Sequence, residues 1–263
     1  NHTFVLMKKK IAIIGSGIGG LTAANLFIKN SDFEIIVYEK EEILSLDQGY
    51  GIQLATNSIS ILNKIGFKNI DNNNIFNPLK LNFYSNNNKI CDLDLERFNK
   101  DSTKYTTLQR SVLIEFLKDK LFTNNFRFGK EVRKVSKIKD KLLINFADNT
   151  NDLVDFIIVS DGVFSNTKSI IENKTIKPRY NGSVAIRTVV KLSEEFNYDN
   201  KNISLIMFPN AHVVIYPINK RNDFNLVCIA REKLSQNYDI YSIIKKKILY
   251  KNKNLENLFK GDL

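Results

Sequence analysis

Lys10-Ile-Ala-Ile-Ile-Gly-Ser-Gly-Ile-Gly-Gly20 is the stretch that decides the fold. Its apolar first half, residues 10–14, predicts a buried strand, and the apolar residues after Gly20 predict a helix through Ile28. A second apolar run, residues 33–39, predicts another strand. The order strand, glycine-rich turn, helix, strand is typical of a unit that binds a dinucleotide.

Each glycine of the turn has a physical role in such a unit. Gly15 allows the tight turn, Gly17 lets the backbone approach a pyrophosphate, and Gly20 lets the helix lie close to the strand. The pyrophosphate binds at the helix N-terminus, where free N–H groups and the helix dipole favour negative charge. Glu39 follows about 20 residues further on, where the motif places an acceptor for ribose hydroxyls. The motif does not choose among NAD, NADP and FAD.

A secretory signal peptide is an alternative interpretation of the same region, because Lys8 and Lys9 precede an apolar run. The run is rich in glycine, shows no convincing cleavage site before Asn25, and continues into a charged helix end. These features favour the dinucleotide unit. Residues 1–6 precede Met7, which looks like a natural start, so we exclude them from the fold prediction as upstream sequence.

The composition is that of a globular protein with an ample core, since 43% of the 263 residues are hydrophobic. The formal net charge of +11 could indicate a nucleic acid or an anionic membrane as partner. The lysines are spread along the chain and mixed with acids, so we interpret the basic segments 130–141 and 245–253 as solvated faces. We expect no nucleic acid partner. No run of 18 uncharged apolar residues occurs, so no transmembrane helix is expected.

Side chains that often carry chemistry are sparse. The two cysteines, Cys91 and Cys228, stand in unrelated contexts without the spacing of metal ligands, so we expect no metal site. No Ser/His/Asp or paired-carboxylate arrangement stands at a convincing spacing. A reduced, cytoplasmic protein fits these observations best.

Further along the chain, Thr56 and Asn57 are suitable N-caps for a helix that Gly66 ends, and Ser111 is a suitable cap for a helix through Phe122. Strands are predicted at residues 81–84, 90–95, 132–138, 142–146, 153–159, 184–192, 204–208, 213–218 and 224–230. The first two form a hairpin, and the last four form an antiparallel sheet. The strand 153–159 is too apolar for burial on one side and should lie inside its sheet. A helical tail is expected at residues 235–259.

Three groups of residues together resemble the FAD-dependent aromatic hydroxylases, a family that includes p-hydroxybenzoate, salicylate and ubiquinone-pathway hydroxylases. The first is the turn 15–20 with Glu39. The second is Ile157–Ser165, an apolar strand that runs into Asp161-Gly162. The third is Gly49–Leu54 with Asn57, together with Gln109-Arg-Ser111 at a helix start. Residues 182–187 and 212–218 are similar to the substrate-domain strands of the salicylate hydroxylase branch.

The resemblance implies an α/β fold in which a Rossmann-like FAD-binding domain is interleaved with a mostly antiparallel β-sheet substrate domain. The FAD-binding domain is expected at residues 1–78 and 104–177, and the substrate domain at 79–103 and 178–263. The family's third motif, a Gly-Asp-Ala-Ala-His-like stretch that closes over the flavin, is absent. We therefore expect these residues to lack the C-terminal part of the fold, to bind FAD weakly and to give little coupled hydroxylation.

The resemblance further implies an FAD-dependent monooxygenase. Reduced by NADH or NADPH, the flavin would react with molecular oxygen to form a C4a-hydroperoxide that hydroxylates a small aromatic substrate. The alternatives are a related FAD-dependent reductase or epoxidase, and an NAD-binding Rossmann protein without flavin. The sequence does not decide the substrate, the choice between NADH and NADPH, or the oligomeric state, for which a homodimer is one option.

Thirteen residues are expected to bind the cofactor by this resemblance: Gly15, Ser16, Gly17, Ile18, Gly19, Gly20, Glu39, Lys40, Gly51, Arg110, Val132, Asp161 and Gly162. Val132 would contact adenine through its backbone, and Arg110 and Asp161 would lie on the flavin side. Arg110 stands at a helix start, where a cation is unfavourable, and this favours a ligand-facing role. Lys168 replaces an arginine that is frequent in the family, which keeps the charge but loses the bidentate geometry.

The substrate-side candidates are Arg187, His212, Tyr216 and Pro217. Arg187 lies in an apolar strand and needs an anionic or hydrogen-bonding partner if it is buried. Histidine and tyrosine at such strand positions are more often structural than catalytic, so the catalytic residue itself stays unknown.

Overall fold

The computed structural model describes residues 8–44, 49–192, 198–233, 239–248, 252 and 255. These residues form two compact units, and the chain passes between them three times. The first unit takes in the described parts of 1–47 and 113–179, and the second those of 48–112 and 180–263. Residues 49–78 and 104–112 thus lie in the second compact unit. The predicted limits of the FAD-binding and substrate domains concern function and stay a prediction.

The helices and strands are numbered in chain order. The helices are α1 (Ile18–Phe27), α2 (Thr56–Asn63), α3 (Arg110–Lys118), α4 (Asn166–Ile171) and α5 (Ile240–Lys247). The strands are β1 (Lys9–Ile14), β2 (Phe33–Tyr38), β3 (Gly51–Leu54), β4 (Ile75–Phe76), β5 (Lys80–Ser85), β6 (Asn88–Asp94), β7 (Thr106–Gln109), β8 (Phe126–Arg127), β9 (Val132–Ile138), β10 (Lys141–Phe146), β11 (Asn151–Val154), β12 (Phe156–Val159), β13 (Ser183–Lys191), β14 (Ile203–Phe208), β15 (Ala211–Pro217) and β16 (Asp223–Arg231).

The first unit is built on a parallel sheet with the strand order β12-β1-β2-β8. The apolar runs in β1 and β2 are buried because α1 covers one face of the sheet, where Ala24 packs with Ile13 and Val37. A three-stranded antiparallel sheet, β11-β10-β9, supplies the core on the other side of β1 and β2, through Ile144 and Phe146. The predicted strand–turn–helix–strand unit is confirmed.

The predicted strand at residues 153–159 is two strands in two different sheets. Val154 in β11 pairs with β10, whereas Phe156 in β12 pairs with β1. Asp155 makes the change of sheet, since its N–H donates to the carbonyl oxygen of Lys10 (2.9 Å) and its carboxylate accepts from the Lys10 N–H (2.8 Å). Within the described sheet β12 is an edge strand, and 47% of Phe156 is exposed. The prediction of an interior strand is therefore wrong for this part of the chain.

The predicted helix caps are also wrong, although both helices exist. Helix α2 begins at Thr56 after Ala55 and has no side-chain cap, and Asn57 accepts a hydrogen bond from the neighbouring Ser58 N–H instead. Helix α3 begins at Arg110, so Ser111 lies inside it. Gly66 has a left-handed φ of 94°, which agrees with its predicted place after a helix end.

The second unit is built on a six-stranded sheet with the order β13-β16-β15-β14-β5-β6. The hairpin β5–β6 and the four later strands are confirmed, and their pairings are antiparallel except that β5 runs parallel to β14. Alternate residues face two cores. One face packs through Ile206, Val213 and Leu226, and the other through Ile203 and Tyr216.

A small sheet with the order β3-β7-β4 packs on the second of these faces and was not predicted. Its strands are short and of mixed polarity, so they lack the alternation that marks a strand in the sequence. It is fastened by hydrogen bonds, such as that from Thr107 Oγ1 to the carbonyl oxygen of Pro217 (2.5 Å). Helix α5 confirms part of the predicted helical tail, and most other positions of that tail lie outside the described residues.

We predict that Gly20→Ala destabilises the chain and that Gly19→Ala does not. A Cβ atom at Gly20 would overlap the carbonyl oxygen of Gly15, whereas one at Gly19 meets no described atom within 4 Å. The clash should lower the free energy of unfolding by roughly 1–3 kcal/mol, and alanine at Gly19 should raise it by up to about 1 kcal/mol because alanine favours helix. Urea unfolding curves check both values. Equal stability of the two variants would contradict the close approach of α1 to the turn.

Candidate functional site

The glycine turn and the end of β12 meet at one edge of the parallel sheet. Gly15 has a left-handed φ of 100°, and its N–H donates to the carbonyl oxygen of Tyr38 (2.8 Å). A Cβ atom at Gly15 would lie 2.6 Å from the carbonyl oxygen of Ser160 and 2.8 Å from the Cα atom of Asp161. Only glycine fits this contact, so the turn brings the ends of β1 and β12 together.

The N-terminus of α1 has free backbone donors. Its N-cap residue is Gly17, no side chain caps it, and no acidic residue lies in its first turn. The N–H of Leu21 makes the first helical bond, to the carbonyl oxygen of Gly17 (2.9 Å), which leaves the preceding N–H groups without helical partners. A Cβ atom at Gly17 or Gly19 would meet no described atom within 4 Å. Donors of this kind beside open space are suited to binding an anion.

Glu39 is tied to the same turn. The N–H (2.9 Å) and the Oγ hydroxyl (2.6 Å) of Ser16 both donate to its Oε2 atom, and the N–H of Glu41 donates to Oε1 (3.1 Å). Burial raises the pKa of Glu39, but these donors outweigh burial and hold the pKa below its ordinary value. The carboxylate is thus ionised at neutral pH, and Oε1 keeps capacity to accept a ligand hydroxyl.

Asp161 and Gly162 follow β12 at the same edge of the sheet. The Oδ2 atom of Asp161 accepts from the N–H of Thr167 (3.3 Å), whereas Oδ1 is buried with no partner among the described residues. Gly162 has a left-handed φ of 86° and is open to a ligand. A cavity of about 300 Å³ borders both, with these lining residues: Val159, Asp161, Gly162, Ser165, Lys168, Ile171 and Glu172. A buried acceptor without a donor favours a ligand that brings a hydroxyl group.

Lys40 and Val132 also lie in the first unit. Lys40 is exposed and forms an ion pair with Glu41 (3.5 Å). The side chain of Val132 is buried in a core cluster of the first unit, and the residue pairs with Phe146 of β10. Its predicted contact with adenine uses the backbone and stays a prediction, as does a cofactor role for Lys40.

Gly51 and Arg110 lie in the second unit, Gly51 at the start of β3 and Arg110 at the start of α3, directly after the strand that pairs with β3. The N–H of Gly51 donates to Asn225 Oδ1 (2.6 Å), and a Cβ atom at Gly51 would lie 2.7 Å from both Asn225 Cγ and Ile218 Cγ2. Packing alone requires glycine here, so a cofactor contact of Gly51 stays a prediction. The N–H of Arg110 donates to the carbonyl oxygen of Tyr50 (2.9 Å). Its half-buried side chain has no ion pair or hydrogen bond to any described residue.

Three substrate-side candidates share one face of the six-stranded sheet. Arg187 of β13 lies opposite Val227 of β16, which in turn lies opposite Val214 of β15. His212 and Tyr216 stand two residues before and after Val214, so their side chains are on the same face as that of Arg187. Arg187 is exposed and therefore needs no buried partner. Tyr216 is only 3% exposed, and burial raises its pKa to about 12, although the Arg187 charge and the Gln53 side chain lower it. Pro217 is buried, on the opposite face.

His212 is the candidate that borders open space. It lines a cavity of about 560 Å³ together with the apolar side chains of Leu205, Met207 and Ile229 and the charged side chain of Arg231. Sequence reasoning did not single out Arg231, Gln53 or Asn225. The signal for Asn225 is a lone polar residue inside the apolar strand β16, where burial demands a hydrogen-bond partner.

In the part of the chain that the structure describes, no group of three or more His, Cys, Asp or Glu side chains could hold a metal ion. The exposed Cys91 and the buried Cys228 are free thiols. No helix among the described residues is long and apolar enough to cross a membrane.

Comparisons with known proteins agree with this geometry. Residues 13–48 match the NAD(P)-binding Rossmann-like domain, a range that contains the end of β1, all of α1 and β2, and Glu39. The chain is 26% identical to 3-amino-4-hydroxybenzoate 2-monooxygenase PtmB3 of Streptomyces platensis, over 80% of this chain and 54% of the relative. It is 28% identical to 6-hydroxynicotinate 3-monooxygenase of Pseudomonas fluorescens, over 70% of this chain and 48% of the relative.

The fold is shared with solved flavoprotein structures. Klebsiella pneumoniae HpxO, solved with FAD and uric acid, superimposes with a TM-score of 0.84 at 19% identity, over 98% of this chain and 66% of that protein. The predicted fold class and the resemblance to FAD-dependent aromatic hydroxylases are confirmed. The chain spans about half the length of the curated relatives it matches.

We predict that Glu39→Gln loses stability at neutral pH but not in acid. Because the folded chain lowers the pKa of Glu39, the stability that this carboxylate adds is full above its ordinary pKa of 4.5. That contribution is lost as the pH falls through the lower pKa of the folded chain. Unfolding curves from pH 3 to 7 should show the two proteins converge in acid. Glu34→Gln, an exposed carboxylate on β2, controls for the change in net charge, and a constant Glu39→Gln deficit across this range would contradict the assigned hydrogen bonds.

Proposed function

We propose that this chain forms part of an FAD-dependent monooxygenase that uses NADH or NADPH and molecular oxygen to hydroxylate a small aromatic compound. The observation that carries the proposal is the uncapped N-terminus of α1, which offers free N–H groups beside the ionised Glu39. The names of the relatives support it, since both are aromatic-ring monooxygenases.

The residues of the first unit fit one end of FAD. The N–H groups after Gly17 would bind the pyrophosphate, and Glu39 would accept from the adenosine ribose. The unpartnered Asp161 Oδ1 would accept a hydroxyl of the ribityl chain, with Gly162 giving it room. When bound, FAD supplies the redox and oxygen chemistry, and the protein binds and orients it and excludes water.

The second unit offers a surface suited to the ring substrate. Its cavity is lined by the apolar Leu205, Met207 and Ile229 and by the polar His212 and Arg231. The apolar side chains suit an aromatic ring, and the polar ones suit a carboxylate or hydroxyl group on that ring. The compounds in the relatives' names carry both groups, so we propose a hydroxylated aromatic or heteroaromatic acid as substrate class.

The deciding experiment is product analysis with labelled oxygen. The purified protein is mixed with FAD, NADH or NADPH, ¹⁸O₂, and a panel that includes 6-hydroxynicotinate, 3-amino-4-hydroxybenzoate and salicylate. Transfer of one labelled atom to a ring supports the proposal. Flavin reduction without label in any product favours a reductase, and absence of any flavin binding favours a non-flavin NAD-binding protein. Because the chain spans about half of its relatives, the same assay is run on the longest natural form of the protein.

We predict that Gly17→Val abolishes FAD binding and leaves the fold intact. A Cβ atom at Gly17 meets no described atom within 4 Å, and the extended backbone of this residue (φ −73°, ψ 180°) suits valine, so we expect the fold to tolerate it. It would occupy the space in which the pyrophosphate must lie. Fluorescence titration with FAD measures the affinity, and thermal unfolding without FAD measures the fold. An unchanged affinity would remove this turn from the cofactor site.

We predict that Arg110→Ala lowers FAD affinity by about tenfold, the effect of losing one charge-assisted hydrogen bond. Stability without FAD should change little, because the guanidinium group has no partner among the described residues. Arg97→Ala, an exposed arginine of the second unit, is the matched control. Loss of stability with normal FAD affinity in the folded fraction would make Arg110 a structural residue.

A further inference from the structure

We propose that Asn225 is a positioning residue that sets the place of Arg110 through one peptide group, the one between Tyr50 and Gly51. The inference rests on the proposed function, in which Arg110 contacts FAD. Asn225 itself touches neither cofactor nor substrate in this proposal.

A single peptide plane connects the two residues. Its N–H, from Gly51, donates to Asn225 Oδ1 (2.6 Å). Its carbonyl oxygen, from Tyr50, accepts from the N–H of Arg110 (2.9 Å). The peptide is rigid and its two polar groups point in opposite directions, so a shift of one hydrogen bond moves the other. The two bonds also polarise each other, because they share one amide dipole.

Asn225 and this peptide are tightly packed. The Cα atom of Gly51 lies so close that an added Cβ would stand 2.7 Å from Asn225 Cγ and from Ile218 Cγ2. Real Cβ atoms do not approach other atoms this closely. The position of the peptide is therefore fixed by contact with β16 as well as by the hydrogen bond.

The amide side chain of Asn225 is only partly hydrogen-bonded. The residue is fully buried, at 0% exposure, and its Nδ2 group has no hydrogen-bond partner among the described residues. Its orientation is settled, because the Gly51 N–H requires the oxygen atom to face it. A buried donor without a partner weakens the fold, so the hydrogen bond to Gly51 is what the residue supplies.

Arg110 depends on that bond for its place. It is the first residue of α3, and its side chain has no hydrogen bond or ion pair with any described residue. Its position is therefore set by its backbone, which is held by the Tyr50 carbonyl group and by the pairing of β7 with β3. Displacing the peptide should move the guanidinium group away from its ligand.

A double-mutant cycle on the dissociation constant for FAD tests the proposal. Asn225→Ala and Arg110→Ala should each raise this constant, the first by about fivefold and the second by about tenfold. If Asn225 acts through Arg110, the double variant should bind no more weakly than Arg110→Ala alone, within about twofold. All constants are measured on the folded fraction, which thermal unfolding defines.

Two further variants separate positioning from general stability. Asn225→Asp keeps the acceptor for the Gly51 N–H and should recover most of the lost FAD affinity. Asn82→Ala removes another fully buried asparagine of the same sheet, whose amide binds Asp199, and should lower stability without changing FAD affinity. Gly51→Ala should reproduce the defect of Asn225→Ala.

Four results would overturn the proposal. Additive effects in the cycle, or unchanged FAD affinity in Asn225→Ala, would overturn the positioning role while leaving Arg110 as a cofactor residue. An Arg110→Ala variant with unchanged affinity would instead remove Arg110 from the proposed site, and the inference would fall with it. A loss of affinity in Asn82→Ala equal to that in Asn225→Ala would show a general stability effect and overturn the proposal.

Discussion

Helix α1 lies so close to the turn before it that one added methyl group at Gly20 would overlap the carbonyl oxygen of Gly15. This approach holds the free N–H groups of α1 at the end of β1. The same turn lies against Ser160 and Asp161 at the end of β12. Because parallel strands end at one edge of a sheet, the helix N-terminus, Glu39 and Asp161 are collected there. The proposed cofactor site of the first unit depends on this one close contact.

The sequence predicts this region well because its signals are local. Glycine spacing, an apolar strand on either side and an acid at the strand end all act within about 30 residues, the span of one such unit. The role of Ser16 could not be read in the same way. Its N–H and hydroxyl both donate to Glu39. These bonds depend on where β2 places Glu39, and the glycine motif alone does not show that position. The change of sheet at Asp155 could not be predicted either, because the apolar residues on both sides of it have the pattern of a single strand.

In the second unit, local sequence patterns predict only some of the strands. Long strands such as β15 and β16 are predicted correctly, since each is a mostly apolar run bounded by turn residues. The small sheet of β3, β7 and β4 was missed, because it is fixed by contacts to residues more than a hundred positions away, such as Thr107 to Pro217. Asn225 has its partner 174 positions away, so only its polarity inside an apolar strand gave a sign of it. Buried polar contacts of this kind require the fold before they can be assigned.

The central claim is that the free N–H groups at the start of α1 bind the pyrophosphate of FAD. Amide proton and nitrogen NMR of the labelled chain, recorded during a titration with FAD, tests it directly. The account predicts that the largest chemical shift changes fall on the amides of Ile18, Gly19 and Gly20, and that adenosine alone leaves these amides nearly unchanged. Shifts that leave these three amides in place while others move would contradict the account.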